Sequence, residues 1–376
     1  MAPDRRAGDH PGKPGEEDLE ALRDACTGFI AGNGQRKPAD LLATIPRDTK
    51  PDRYGEGGVV AEIESEIARL LGKEAAVFLP SGTMAQQSVL RVHADRRQRR
   101  VVVFHPACHV DKHEGRGYER LHHLTGRPTG HPDRLLGLDD LHGVGEPAAA
   151  LLLELPQRDL GGQQPGWDSL QTQVSWARVR GAAAHLDGAR LWESAAGYER
   201  SPAAVAALFD TVYVSFYKAI GALPGCCLAG PADIVAEVRE WRQRMGGTLY
   251  ALWPNAASAL TCLRMRLPRM PRYLGHARAI ADALREAPEV EVIPDPPQTS
   301  MMHLLLKTTQ ESFAARARQL AKDRGVWTWP EAGLTGDPGR QRVELAVGDA
   351  TLEFKPEEIS DIVATLARPP DALAGT

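Results

Sequence analysis

The chain has 376 residues, of which 43% are hydrophobic, 25% charged and 6% aromatic, with a formal net charge of −4. That length accommodates two domains, or one large α/β domain with an appendage, and the mixed charge excludes the concentrated basic stripe of a nucleic-acid binder. No run of about 18 apolar residues occurs, which excludes a membrane-spanning helix.

Residues 1–20 are polar, Pro- and Gly-rich and non-periodic, and predict a mobile tail without the apolar segment of a signal peptide. Apolar residues at 60, 63, 67, 70 and 71 form a helical stripe that Gly72 would stop. Ala75–Leu79 predicts a strand, broken by Pro80-Ser81-Gly82-Thr83 before a second helix near Met84. Further strands are predicted at Val101–Phe104, Ala149–Leu155, Ala182–Leu186, Thr211–Phe216 and Cys226–Ala229. Their hydrophobicity is continuous rather than alternating, as in strands covered on both faces. Helix-length segments separate them, which implies crossover connections and a mostly parallel sheet. Beyond about residue 255 the pattern changes. Helices at Arg272–Leu284, Phe313–Arg324 and Pro356–Leu366 are interspersed with strands at Val290–Ile293, Met301–Leu306 and Arg342–Val347. The expected organisation is a large α/β domain over 21–255 and a small α+β domain over 256–376, with the last few residues, RPPDALAGT, again a tail.

Of the 45 basic residues nine are lysines, and one, Lys218, follows an apolar strand and precedes the small residues Ala219, Gly221 and Ala222. A desolvated lysine has a lowered pKa and can form a Schiff base with a carbonyl. Ser215, three residues earlier, could offer its hydroxyl to a phosphate alongside; a surface lysine after a strand is the plainer reading. In His185-Leu186-Asp187-Gly188-Ala189-Arg190 a carboxylate ends another strand, where ligands bind in open α/β sheets. A turn or N-cap aspartate would look the same. Ser81-Gly82-Thr83 lies between strand and helix, a position that favours anions, although an ordinary capped helix shares the pattern. No Walker loop is present, and Gly55-Glu56-Gly57-Gly58 does not complete a dinucleotide fingerprint. His109 and His113 could share a helix face, but Val110 stands where a zincin has glutamate, so no catalytic metal is expected. Five cysteines without a C-x-x-C spacing exclude a disulfide scaffold and point to a reducing, cytoplasmic compartment.

Taken in order, S-G-T, histidine, H-x-D-G-A-R and S-x-x-K resemble the threonine aldolase / β-eliminating lyase family of fold-type-I pyridoxal-phosphate enzymes. The stretch from Tyr54-Gly55-Glu56 to Met84, including Leu71-Gly72-Lys73-Glu74-Ala75-Ala76, is similar to it as well. The resemblance implies that fold, pyridoxal 5'-phosphate, an amino-acid substrate and a homodimer or homotetramer. It implies that Lys218 holds the cofactor, Asp187 pairs with its pyridine nitrogen and His109 stacks on its ring. Ser81, Gly82, Thr83 and Ser215 would lie near the phosphate, and Arg190 near the cofactor hydroxyl or the substrate carboxylate.

Departures fall on the substrate side. The family's E-N-T-H histidine, close to the substrate hydroxyl, is matched by Gln157 in Glu154-Leu155-Pro156-Gln157. An N-terminal serine of the family falls near Gly32, and a phosphate-binding arginine is replaced near Tyr250. The small-domain arginine of the carboxylate clamp falls at Glu344, with Arg342 two residues away to take its place. Arg190, Gln157 and Arg342 are thus the expected substrate-side residues. The implied reaction is retro-aldol cleavage of a β-hydroxy-α-amino acid to glycine and an aldehyde. β-Elimination to pyruvate and ammonia ranks second, racemase or transaminase chemistry third. A non-catalytic binding or regulatory protein of the same fold is the alternative from another class.

Overall fold

The computed structural model describes residues 16–368, so residues 1–15 and 369–376 of the two expected tails lie outside the described residues. Within the first tail, helix α1 (Glu16–Ala25) begins earlier than the polar composition suggests. Helix α2 (Gly58–Leu71) carries the predicted stripe: Val60, Ile63, Ile67 and Leu71 are at most 1% exposed. Each such side chain contributes about 1.5–3 kcal/mol of burial. Gly72 closes the helix at φ +60°, a left-handed conformation in which glycine has no Cβ to clash.

The central sheet has seven strands. These are β1 (Ala75–Leu79), β2 (Val101–Phe104), β3 (Thr125–Pro128), β4 (Ala148–Glu154), β5 (Ala183–Gly188), β6 (Thr211–Ser215) and β7 (Cys226–Gly230). Their spatial order is β1-β7-β6-β5-β4-β2-β3. β7 runs antiparallel to both neighbours, and the remaining adjacent pairs are parallel. Every residue of β5, β6 and β7 is buried, which is why these runs are mainly apolar on both faces. β3 escapes prediction because Thr-Gly-Arg-Pro is a largely exposed edge strand, where proline removes no needed ladder bond. Since β1, β2, β4, β5 and β6 run the same way, their carboxyl ends share one edge of the sheet.

A second sheet contains β8 (Val290–Ile293), β9 (Met301–Leu306), β10 (Gly333–Leu334) and β11 (Gln341–Ala346), all antiparallel in the order β10-β11-β9-β8. The start of the chain is stitched onto this end of the molecule. Gly28–Phe29 pairs in parallel with Val326–Trp327, and Gly32 bridges Val347. Two side chains then connect this region to the segment after Lys218. Asn33 Nδ2 donates to the Ala219 carbonyl at 3.1 Å. Arg266 donates to the Ile220 carbonyl and to Asp349 Oδ2, both at 2.8 Å. The lysine loop is therefore gripped from outside its own sheet.

Candidate active site

The shared carboxyl edge opens into a cavity of about 420 Å³, within the usual range for small-ligand sites. Six of the residues singled out from sequence line it: Ser81, Gly82, Thr83, His109, Asp187 and Lys218. They come from four separate strand ends, so the sheet assembles the site.

Helix α3 (Gly82–Arg97) starts at the cavity wall, and Ser81 at its N-cap makes no side-chain hydrogen bond to it. The first turn therefore presents free N–H groups and the positive end of the helix dipole, which together favour an anion. Gly82 is required there, because a Cβ would lie 2.2 Å from the Tyr213 hydroxyl oxygen. Ser215, at the end of β6, is 1% exposed and its hydroxyl is buried without a well-formed hydrogen bond among the described residues. It lies behind the lining and three residues before Lys218.

Burial first, and the charge of Arg190 second, holds the Lys218 amine below the usual lysine range. Asp187, 2% exposed, is raised by burial against the opposing charges of Lys218 and His109. Its Oδ1 accepts the Ala189 N–H at 3.1 Å. Beside it in register, on β4, is Glu154. Burial, then the charge of Asp187, pushes Glu154 up to about 7. Its oxygens accept the backbone N–H groups of His109 and Arg158, each at 3.2 Å. Glu154 thereby anchors the segment that carries His109. The His109 ring in turn has Nδ1 3.2 Å from Glu114 Oε1, and this bond raises its pKa above the ordinary imidazole value.

The substrate-side expectations fare differently. Gln157 does not line the cavity; it is buried, with Nε2 donating to the Ala107 carbonyl at 3.1 Å and to Glu154 Oε2 at 3.2 Å. Its amide is spent on holding two loops together. Arg342 is exposed and also stands outside the lining. Arg190 lies just behind the cavity at 13% side-chain exposure, with Nη2 3.3 Å from Glu344 Oε1. Arg158, which the sequence did not single out, meets the other oxygen of Glu344 at 2.8 Å. The clamp position thus holds a carboxylate bracketed by two guanidinium groups. Sequence reasoning also missed Glu114, Gln86, Tyr213 and Tyr217 on the wall. Tyr217 sits at a variable position of the S-x-x-K motif and the other three in no motif, so none was marked by its residue type.

Two neighbouring histidines bond away from the cavity. His105 is buried, with Nε2 2.9 and 2.8 Å from the carbonyls of His131 and Arg134, and His113 stands 3.9 Å from Asp159. Among the described residues no group of three metal-binding side chains comes together.

With this geometry in place, comparison with known proteins is decisive. The family model of the beta-eliminating lyases matches residues 40–308. The chain belongs to the beta-eliminating lyase family. It is 23% identical over 302 residues to low-specificity L-threonine aldolase 1 of Arabidopsis thaliana, covering 77% of this chain and 84% of that one. It is 28% identical over 255 residues to the low specificity L-threonine aldolase of Escherichia coli O157:H7, covering 66% and 76% respectively. Among solved structures, a proposed L-allo-threonine aldolase from Listeria monocytogenes EGD-E superposes with a TM-score of 0.88 at 35% identity, covering 93% of this chain and 98% of that one. The fold is that of the fold-type-I pyridoxal-phosphate enzymes, an α/β large sheet with a small C-terminal sheet.

Proposed function

We propose that this protein binds pyridoxal 5'-phosphate and cleaves a β-hydroxy-α-amino acid between Cα and Cβ, giving glycine and an aldehyde. The observation that carries the reading is the convergence of Lys218, Asp187 and His109 on one cavity with an uncapped helix N-terminus in its wall. The relatives named as threonine aldolases support the substrate class. The residues present fit the cofactor. The α3 N-terminus with Ser81, Gly82 and Thr83 would take the phosphate, together with the buried Ser215 hydroxyl. Asp187 would hold the ring nitrogen, Lys218 the aldehyde carbon, and His109 would lie on the ring face. When bound, pyridoxal phosphate acts as the electron sink for negative charge at Cα.

The chain's own groups supply the rest. Burial and Arg190 make the Lys218 amine easier to deprotonate than a free lysine, so its lone pair is available at lower pH than an ordinary lysine's. Arg190, beside the Lys218 amine and paired with Glu344, would be the group to meet the substrate carboxylate. Glu114 holds Nδ1 of His109, leaving Nε2 to receive the proton of the β-hydroxyl group. That assignment gives His109 the role expected of position 157, whose amide cannot accept a proton at neutral pH and is in any case turned away.

The absorbance spectrum of the purified chain tests the cofactor: a yellow band is expected, and its absence after added pyridoxal phosphate overturns the reading. Product analysis with L-threonine and L-allo-threonine tests the reaction. Glycine plus aldehyde is expected; pyruvate would establish β-elimination instead, and no turnover of any amino acid would leave a non-catalytic protein. We also infer a homodimer or homotetramer acting in the cytoplasm, which light scattering and fractionation check. All five cysteines are free and buried, in keeping with a reducing compartment.

A further inference from the structure

A second cavity, of about 720 Å³, lies outside the active site and shares no lining residue with it. Its size is again that of a small-ligand site. Three segments enclose it: helix α1, residues 29–38, and the strand Val326–Trp327 with Thr328 after it. Phe29 and Trp327 are register partners in the parallel pair described above, so their half-buried rings stand on the same face of that pair. Both line the cavity.

Charge is distributed unevenly around it. Arg23 of α1 is answered by Glu20 at 3.8 Å and by Asp24 at 4.0 Å, and Asp24 also accepts from the Gln35 amide. Arg36 has no such answer. Its Nη1 is buried without a hydrogen-bond partner, and the guanidinium enters no ion pair among the described residues. Lys37 beside it is exposed and adds a further positive charge to the same wall. Thr328 is 8% exposed, and its hydroxyl is also buried without a partner among the described residues. Arg36 touches the turn after Lys218 as well: a Cβ on Gly221 would lie 3.0 Å from Arg36 Nη1, and the Gly221 N–H donates to the Lys218 carbonyl at 2.9 Å.

A guanidinium group only donates, and its charge is permanent. Leaving one of its N–H groups and a neighbouring hydroxyl buried and unpaired is unfavourable. A negatively charged acceptor relieves the first, and the hydroxyl can donate to the same anionic group. The two aromatic side chains on this cavity favour an apolar body attached to it.

We propose that this cavity is a binding site for a small organic anion, a carboxylate or phosphate carried on an apolar body. Arg36 and Thr328 hold the anionic group, and Phe29 and Trp327 lie against the body. The site is separate from the one proposed for pyridoxal phosphate and does not rest on that reading. Through Arg36 its occupant is one side chain away from the turn that carries Lys218.

The test is fluorine NMR of para-fluorobenzoate and para-fluorophenyl phosphate, each titrated against the full chain saturated with pyridoxal phosphate. At least one is expected to bind in the millimolar range or tighter, and the preferred one tells carboxylate from phosphate. Arg36→Met is expected to weaken that binding about tenfold and Thr328→Val about threefold, whereas Arg190→Met leaves it unchanged. A wild-type crystal soaked with the bromine analogue of the preferred probe needs no variant to fold; its anomalous peak is expected between Phe29 and Trp327. The proposal is overturned if neither probe binds, if Arg36→Met and Thr328→Val both bind as the wild type does, if Arg190→Met alone abolishes binding, or if bromine is found only in the active-site cavity.

Discussion

The two sides of the cavity are built on different principles. On the side of Lys218, Asp187 and the α3 N-terminus, every group comes from the end of a strand in one sheet, and burial shifts both the amine and the carboxyl from their ordinary values. On the other side, Arg190 from the large sheet and Arg158 from the loop after β4 meet Glu344 on β11 of the small sheet. The first side is preorganised to receive a charged ligand. The second already holds a carboxylate, so charge compensation there is internal. The difference puts the groups proposed to hold the cofactor in the single sheet and the arginine–glutamate pairs in the contact between sheets.

The largest expected effect falls on the first side. Lys218→Ala should lower turnover on the order of 10³-fold or more and abolish the yellow band; turnover within tenfold of wild type would erase the contrast. Asp187→Asn should follow with a loss on the order of 10²-fold, since a neutral amide cannot hold a protonated ring nitrogen. Steady-state rates at saturating cofactor measure both. On the second side the effect should be smaller and opposite in sign. Glu344→Gln frees Arg158 and Arg190 from an ion pair, so KM for L-threonine should fall about three- to tenfold with kcat little changed. A raised KM would show that Glu344 itself serves the substrate.

The smallest effect is on pH dependence. His109 is raised by its bond to Glu114, so it keeps its proton to higher pH than an ordinary imidazole. A step that needs neutral His109 should therefore strengthen as pH rises through that raised value. Removing the carboxylate in Glu114→Gln lowers the value, and the acidic limb of kcat/KM should move to lower pH by about one unit or less. A limb that stays in place would separate His109 from the proton transfer.

The six apolar strands of the central sheet were legible because burial on both faces demands continuous hydrophobicity, and α2 because its stripe and Gly72 stop agree. β3 was not, because an exposed edge imposes no such demand. Within the site, Lys218, Asp187 and Ser81-Gly82-Thr83 could be picked out because each stands at a strand end next to small residues. Glu154 was visible only as part of a motif, and its closeness to Asp187 depends on which strands are neighbours. The expectation for Gln157 failed at the level of orientation: the position is near, but its amide bonds to Ala107 and Glu154 rather than facing the ligand. Arg342 and Glu344 share one face of β11, yet only Glu344 reaches Arg190.

By itself the amino-acid order determined which segments become strands and helices and which residues stand at strand ends, because these follow from local periodicity and from the special backbone of glycine and proline. Only the tertiary structure decided which of those ends lie side by side. It also decided that Glu344 is bracketed by Arg158 and Arg190. Such pairings join residues far apart in the chain, 154 positions in the case of Arg190 and Glu344. Strand order, burial and the donor or acceptor nature of each neighbour settle them, and no local pattern records any of the three.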